Sequence, residues 1–266
     1  MIISAPNAEF QIIESLKTNR TKRAKTHEIF IEGIESIKQA LRANLEITRI
    51  IITNFETISD WARDLIKNSG GTKIIEMSTD LYNQLCDRNN PSEMLVTARV
   101  NLLALSDVKL PEKPFILLFD RPSDTGNLGS IIRSANAFNT DALFVIGHGV
   151  DVYDPKVIRA SLGAVFFTQI VMLQSLNEIE EFIRQEKTKN NMQVLGTDST
   201  GDILIMNGEL RRPLMIVIGN EAKGMSLALK GLCDGIISIP ISGKVNSLNV
   251  ASAGSIFMWE VYKNSL

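Results

Sequence analysis

Three polar segments punctuated by glycine, all in the second half of the chain, constrain the fold more than any other feature of the sequence. Each follows an apolar run typical of a strand and leads into a stretch typical of a helix. In chain order they are Phe119–Phe138, Ile216–Ser226 and Ile239–Gly254. Ligands bind α/β proteins in the loops beyond the carboxyl ends of their strands. The segments therefore predict an α/β fold with one functional site built from these loops.

Around these segments the second half of the chain alternates apolar strands with helices, which predicts a parallel sheet covered on both faces. The predicted strands are Pro114–Phe119, Ala142–Gly147, Phe167–Leu173, Gln193–Thr197, Leu214–Gly219 and Gly235–Ile239. The predicted helices are Leu128–Phe138, Pro155–Ser161, Leu176–Lys187, Ser226–Gly231 and Leu248–Tyr262.

The first half also alternates strand and helix signals, which predicts a small α/β sandwich. The predicted strands are Ile29–Gly33, Arg49–Thr53, Lys73–Met77 and Met94–Val100, and the predicted helices are Ile34–Ala43, Ser59–Lys67 and one from Ser78 or Thr79 to Cys86. Residues 106–114 are charged and carry two prolines, which is typical of a linker. We therefore expect one domain over residues 1–105 and a second over residues 115–266.

The composition argues for a folded protein outside the membrane. The chain has 266 residues, of which 44% are hydrophobic, and this argues against a disordered chain. No apolar run approaches the ~20 residues that a membrane helix needs, and no secretory signal is visible. We therefore expect a cytoplasmic protein with no membrane partner. Cys86 and Cys233 are expected to be free thiols, and with only two histidines no metal site is expected.

A basic run near the N-terminus stands out against a net charge of −2, and it includes Arg20, Lys22, Arg23 and Lys25. The run is consistent with a solvated helix face or turn. It is also consistent with a patch that contacts nucleic-acid phosphates. Charge alone leaves both interpretations open.

Several common catalytic signatures are missing from the sequence. No GxGxxG follows the first strand of the second half, and no GxSxG motif is present. Gly219–Ser226 lacks the lysine of a phosphate-binding P-loop. Arg133 stands among apolar residues, where a guanidinium is costly to bury unless it meets an anion. We place Asn127 just before the helix that carries Arg133, so that both edge one cleft.

Taken together and in this order, the three segments resemble the signature motifs of the SpoU-type (TrmH-like) RNA ribose 2′-O-methyltransferases of the SPOUT class. The first motif pairs Asn127 with Arg133, six residues later. The second is carried by Gly219, Asn220, Glu221 and Gly224, and the third by Ile239, Pro240, Gly243, Ser247, Leu248, Asn249 and Val250. The resemblance covers about residues 114–264. Two departures are Thr125 in place of a usual proline and Asn139 in place of a usual glycine.

The resemblance implies a fold, a cofactor and partners. It implies a deep trefoil knot in the C-terminal parallel-sheet domain and a homodimer. It also implies that S-adenosyl-L-methionine is bound by Thr197, Gly219, Ile239 and Leu248. The first half resembles the ribosomal-protein-like RNA-binding domain that often precedes this catalytic domain, so the basic run is expected to bind RNA.

The implied reaction is methyl transfer to a ribose 2′-hydroxyl, in which Arg133 is assigned the role of base. A guanidinium has a pKa above ~12, so little free base exists at neutral pH. We therefore expect Arg133 to clamp an RNA phosphate and to stabilise the forming alkoxide. Asn127, Ser247 and Asn249 are expected to orient RNA and Arg133, and Glu221 to pair with or position Arg133.

Alternatives remain open at this point. The chain is consistent with a non-catalytic RNA-binding protein of the same fold, with a tRNA ribose methyltransferase, and with an enzyme that methylates a base nitrogen. The intact polar residues of the motifs favour a ribose methyltransferase. The additional N-terminal domain favours ribosomal RNA over transfer RNA as the substrate.

Overall fold

The computed structural model describes residues 1–87 and 91–266, and its contacts divide the chain into two compact units. Unit 1 comprises Met1–Leu102 and Asp151–Phe166. Unit 2 comprises Leu103–Val150 and Phe167–Leu266. The segment Asp151–Phe166 lies within the second half of the sequence, yet its contacts place it in unit 1.

Unit 1 contains a five-stranded mixed sheet in the order β1-β4-β3-β5-β2. Its strands are β1 (Ile2–Ile3), β2 (Glu28–Glu32), β3 (Ile47–Ile52), β4 (Lys73–Met77) and β5 (Leu95–Arg99). Its helices are α1 (Ala8–Thr18), α2 (Arg20–Thr26), α3 (Ile34–Arg42), α4 (Asp60–Asn68), α5 (Thr79–Leu85) and, from the later segment, α7 (Pro155–Ala160). β5 runs antiparallel to β2 and β3, whereas β1, β4 and β3 are parallel. Helices on this sheet form the α/β domain that the sequence predicts.

Two ion pairs attach the segment Asp151–Phe166 to the rest of unit 1. Arg23 is only 5% exposed, and its Nε and Nη2 donate to Asp151 at 2.8 and 2.7 Å. Its Nη1 donates to the carbonyl oxygens of Leu16 and Lys17. In the second pair, Arg159 donates to the buried carboxylate of Glu32 at 3.0 Å. Arg23 is therefore a structural residue of this unit.

Arg23, predicted to contact RNA, is buried, and its guanidinium is bound by Asp151 and two backbone carbonyls inside the protein. The other residues of the basic run lie at the surface. Arg20 and Lys25 are exposed and Lys22 is half-buried. The basic run thus contains one buried arginine, Arg23, and three cations at the surface.

Unit 2 contains a seven-stranded, all-parallel sheet in the order β10-β12-β9-β11-β6-β7-β8. Its strands are β6 (Phe115–Asp120), β7 (Ala142–Ile146), β8 (Ile170–Leu173), β9 (Gln193–Thr197), β10 (Ile203–Leu204), β11 (Leu214–Ile218) and β12 (Gly235–Ser238). Its helices are α6 (Thr125–Ala137), α8 (Leu176–Asn190), α9 (Leu227–Leu232) and α10 (Val250–Lys263). The central strands β6, β7 and β11 are buried along their whole length, as expected for a parallel sheet covered on both faces. The predicted α/β fold with a parallel sheet in the second half of the chain is confirmed.

One boundary matters for the site. The sequence predicts that the helix of the first segment begins at Leu128, but α6 begins at Thr125. Asp124 is its N-cap, and the Asp124 side chain accepts a hydrogen bond from the backbone N–H of Asn127 at 2.7 Å. Asn127 therefore lies in the first turn of α6, and its placement in the preceding loop was wrong.

Two further findings concern the described ranges as a whole. Within them no helix is long and apolar enough to cross a membrane. The same residues contain no group of three or more His, Cys, Asp or Glu side chains that could hold a metal ion. Cys86 and Cys233 are free cysteines.

Replacing Arg23 by methionine should destabilise unit 1, because Asp151 would stay half-enclosed without its cation. We expect a loss of about 3 kcal/mol in the free energy of unfolding, measured by urea denaturation. Lys25→Met, two residues away on the exposed face of α2, is the matched control and should change stability by less than about 0.5 kcal/mol. Equal effects of the two variants would contradict the assignment of Arg23 as an anchor.

Candidate functional site

The three polar segments meet at one edge of the unit 2 sheet. They follow β6, β11 and β12, and because all strands are parallel their carboxyl ends point to the same edge. The loop after β9 reaches this edge as well. The sheet topology alone therefore brings together residues that are far apart in sequence.

The segment after β11 is a closed turn. Asn220 and Gly224 exchange backbone hydrogen bonds of 3.1 and 2.9 Å, and the Asn220 side chain accepts from the N–H groups of Ala222 and Lys223. Gly224 has a φ of 65°, the left-handed conformation that glycine adopts without strain. A Cβ at Gly219 would collide with the backbone of Gly224 and Met225. The path of the backbone therefore requires glycine at position 219 and favours it at position 224.

Glu221 ties this turn to the first segment. Its carboxylate accepts hydrogen bonds from the N–H and Oγ of Ser123 at 3.0 and 2.6 Å, and from the N–H of Asp124 at 3.2 Å. A longer bond of 3.4 Å comes from Nδ2 of Asn127. Burial by itself would raise the pKa of Glu221, but these donors outweigh it and lower the pKa from its ordinary value of 4.5. Glu221 is therefore ionised at neutral pH.

Asn127 and Asn249 connect the first segment to the third. Nδ2 of Asn249 donates to Oδ1 of Asn127 at 2.9 Å. Oδ1 of Asn249 accepts from the N–H groups of Ala251 and Ser252, so the same side chain caps α10. Each amide is thereby held in one orientation, and a chain of hydrogen bonds runs from Glu221 through Asn127 to the start of α10.

Arg133 stands apart from this chain of hydrogen bonds. Six residues separate it from Asn127 on the same helix, so the two side chains leave α6 about 120° apart. Arg133 is exposed, and over residues 1–87 and 91–266 it has no hydrogen bond or ion pair. Glu221 therefore does not pair with Arg133, because its oxygens are already bound by Ser123, Asp124 and Asn127. The guanidinium is available to an anion that another molecule brings.

A cavity of about 260 Å³ lies beyond β9, β11 and β12. The four residues predicted to bind a cofactor, Thr197, Gly219, Ile239 and Leu248, all line it. Glu221 and the exposed Ser247 line it too, whereas Asn127, Arg133 and Asn249 are not among the described residues that do. The cavity also includes residues that the sequence analysis did not name, among them Asp198, Ile218, Ala253, Gly254 and Phe257. Asp198 was identifiable in principle, since it directly follows a predicted strand.

The charges of the cavity are uneven. Two carboxylates line it, those of Asp198 and Glu221, and no Lys, Arg or His of the described residues does. Lys230 donates to Asp198 at 3.0 Å and is the largest cause that lowers the pKa of that carboxyl, followed by Thr200. Glu221, by contrast, is bound only by neutral donors in the described part of the chain. The one charge in the cavity wall without a cation beside it, among the residues described, is therefore that of Glu221.

Comparison with known proteins gives two family matches. Residues 114–259 match the model described as the SpoU rRNA Methylase family. Residues 7–97 match the model of the SpoU L30e-like domain.

Individual relatives cover almost the whole chain. The 23S rRNA (uridine(2479)-2′-O)-methyltransferase of Streptomyces viridochromogenes is 34% identical over 99% of this chain and 92% of its own length. The 23S rRNA (guanosine(2553)-2′-O)-methyltransferase RlmP of Bacillus subtilis is 26% identical over 98% of each chain. The crystal structure of the SpoU methyltransferase AviRb from Streptomyces viridochromogenes, in complex with the cofactor AdoMet, superposes with a TM-score of 0.91 at 33% identity, covering 98% of each chain.

Replacing Glu221 by glutamine should lower stability in a pH-dependent way. Because the folded pKa lies below the ordinary value of 4.5, the contribution of Glu221 is fully present above that pH and is lost as pH falls through the folded pKa. At pH 7 we expect a loss of about 1 kcal/mol after allowance for solvent screening. Urea denaturation from pH 7 to pH 3 measures it, with Glu180→Gln on the exposed face of α8 as the control. A difference that stays constant over this range would contradict the assignment.

Proposed function

Since this chain belongs to the SpoU rRNA Methylase family, we propose that its cavity holds S-adenosylmethionine and that the surrounding loops present a ribose 2′-hydroxyl of ribosomal RNA to it. The protein is an S-adenosylmethionine-dependent RNA 2′-O-methyltransferase, the activity for which two relatives of nearly equal length are named. The observation that carries the proposal is one cavity at the carboxyl edge of the sheet, lined by the second and third polar segments and by the loop after β9. The first segment is hydrogen-bonded to this cavity wall through Glu221.

The residues of the cavity fit this cofactor. Ile218, Ile239 and Leu248 offer apolar walls, and Gly219, which has no room for a side chain, lines the cavity with its backbone. Thr197 Oγ1 is held by the carbonyl of Val217, so that side chain is fixed at the wall. The unneutralised negative charge of Glu221 favours a ligand with a cationic centre. The sulfonium of S-adenosylmethionine is such a centre.

The chemistry asked of the protein is limited. When bound, S-adenosylmethionine supplies a methyl group that is already activated by its positively charged sulfur. The protein must align the acceptor hydroxyl and assist the loss of its proton. Arg133, exposed and without an internal partner, clamps an RNA phosphate and stabilises the negative charge that develops on the 2′-oxygen. Asn127 and Asn249 fix the start of α6 and α10, and Ser247 presents its hydroxyl at the cavity wall.

Unit 1 is proposed to bind the RNA. It matches the SpoU L30e-like domain, and Arg20, Lys22 and Lys25 lie at its surface along α2. Cations on one helix neutralise phosphates and supply the sequence-independent part of RNA affinity. Arg23 contributes indirectly, since its ion pair with Asp151 holds α2 in place.

We infer further that the C-terminal chain forms a trefoil knot. β12 lies on the far side of β9 from β11, yet α10, the next element, packs against α6, which follows β6 on the other side of β11. Residues 239–249 therefore cross the carboxyl edge of β9 and β11, beside the loops that follow these strands. Passage of this segment through the loop after β9 would close the knot, and a crystal structure would test it.

We propose a homodimer from the surface of α10. Trp259 is 45% exposed and Ile256 38% exposed on this helix. The Trp259 ring packs edge-on against Phe138 at the end of α6, with a distance of 5.8 Å between the ring centroids. The centroid of the Tyr262 ring lies 6.2 Å from that of Trp259. An aromatic cluster of this kind is typical of a self-complementary interface. We also propose that the protein lies in the cytoplasm, because free cysteines such as Cys86 and Cys233 are typical of a reducing compartment.

The methyltransferase proposal is tested with labelled S-adenosylmethionine and unmodified ribosomal and transfer RNA transcripts, followed by nucleoside mass spectrometry. We expect a 2′-O-methyl nucleoside in 23S ribosomal RNA. Arg133→Ala should slow transfer on the order of a hundredfold because charge stabilisation is lost, with cofactor affinity nearly unchanged. Arg184→Ala, an exposed arginine of α8, is the control and should keep full activity.

Three outcomes of this assay would overturn parts of the proposal. Transfer to transfer RNA alone would refute the substrate class, and a methylated base would refute the ribose acceptor. An Arg133→Ala variant that retains most of the activity would refute the role of Arg133.

The homodimer is tested by sedimentation velocity. Trp259→Glu should convert a dimer into a monomer, because a charge buried at the centre of an apolar interface costs several kcal/mol. Leu227→Glu alters another exposed apolar residue, 86% exposed at the start of α9, and should leave the dimer intact. A wild-type protein that sediments as a monomer at micromolar concentration would refute the dimer.

A further inference from the structure

Arg121 has a backbone conformation that needs an explanation. It directly follows β6 and has a φ of 50°, in the left-handed region where a residue with a side chain is strained. Its side chain lies so close to Gly147, which follows β7, that a Cβ there would come within 2.6 Å of Arg121 Cγ. Strained residues of this kind cluster at sites where the surrounding structure holds them for a purpose.

The guanidinium of Arg121 makes a two-point ion pair. Its Nε and Nη2 donate to the two carboxylate oxygens of Asp120 at 2.7 and 2.8 Å. Asp120 is only 2% exposed, so the pair neutralises a buried charge. The hydrogen bond with Asp120 is the largest cause that raises the pKa of Arg121 above its ordinary value. The guanidinium is thereby fixed in place.

From this position Arg121 and Asp120 hold the turn after β11 at three points. Nη2 of Arg121 also donates to the carbonyl of Gly224 at 3.2 Å, and the carbonyl of Arg121 accepts from Nδ2 of Asn220 at 2.6 Å. Asp120 accepts from the N–H of Ser226 at 2.8 Å. The contacts grip both ends of the turn that carries Glu221 and lines the cavity.

We propose that Arg121 is a positioning residue that sets the turn Asn220–Gly224 for cofactor binding. The inference rests on the proposed function, because it takes the cavity to be the cofactor site. Arg121 acts through the turn: with its fork in place, the backbone at Gly219 and the carboxylate of Glu221 stand at the cavity wall in one arrangement. Without it, the turn keeps its internal Asn220–Gly224 bonds but loses the anchor on the Gly224 carbonyl, and Asp120, which binds Ser226, loses its cation.

The test compares Arg121→Met with a control, Arg184→Met. The control breaks an ion pair with Glu181 that is also made by two hydrogen bonds, on the exposed face of α8. Calorimetry with S-adenosylmethionine should show about tenfold weaker binding for Arg121→Met, as expected for one lost charge-assisted hydrogen bond, and no change for the control. The KM for the cofactor should rise in parallel, whereas kcat at saturating cofactor stays within about threefold. Arg121→Lys, which keeps the charge but not the fork, should restore binding only in part.

Hydrogen exchange separates this inference from the proposed function, because it needs no ligand. The amides of residues 220–224 should exchange faster in Arg121→Met than in the wild type, and unchanged exchange would overturn the inference. A wild-type protein that fails to bind the cofactor would instead refute the proposed function.

The double variant Asp120→Asn/Arg121→Met guards against simple unfolding, since it removes the buried carboxylate together with the cation that neutralises it. We expect this variant to fold and to bind the cofactor more weakly than the wild type, because the hydrogen bond to the Gly224 carbonyl is absent. Recovery of wild-type affinity would overturn the inference, since the loss would then come from the unpaired Asp120 carboxylate alone.

Discussion

The site depends on a carboxylate that is held by neutral donors. Ser123, Asp124 and Asn127 bind Glu221 and fix it across two loops, yet none of them cancels its charge. Hydrogen bonds of this kind favour the ionised form, whereas an ion pair would also have neutralised the group. Glu221 therefore joins the loops and leaves a negative charge at the cavity wall. A neutral side chain could join the two loops but would leave no negative charge at the cavity wall.

In the neighbouring ion pair of Asp120 and Arg121, by contrast, the charge of the carboxylate is neutralised. Its carboxylate is buried and its charge is neutralised, and the cost is a left-handed backbone at Arg121 of about 1–2 kcal/mol. Two charge-assisted hydrogen bonds within the pair, worth roughly 1.5–3 kcal/mol each, offset that strain. The two acidic groups thus differ: Asp120 is neutralised by Arg121, and Glu221 keeps its negative charge at the cavity wall.

The sequence predicts the parts of this arrangement that follow from periodicity and topology. Lys73–Met77 and Gln193–Thr197 match β4 and β9 residue for residue, and parallel strands explain why three distant segments share one edge. Elements of two residues, such as β1 and β10, give too little pattern to detect. The start of α6 was misplaced because two good caps, Asp124 and Asn127, stand three residues apart, and only the structure shows which one is used.

The two arginines of interest show where sequence reasoning ends. Arg23 stood in a surface-like basic run and is buried, because Asp151, 128 residues away in sequence, folds back against it. Arg133 stood among apolar residues and is exposed, because the apolar face of α6 turns away from it. Local pattern reveals neither outcome, since the partner of Arg23 is remote in the chain and Arg133 has no partner in the described structure. The guanidinium of Arg133 has no internal anion in the described structure, which supports the proposal that an RNA phosphate is its counter-ion. On this proposal, RNA binding supplies the negative charge that Arg133 lacks within the protein.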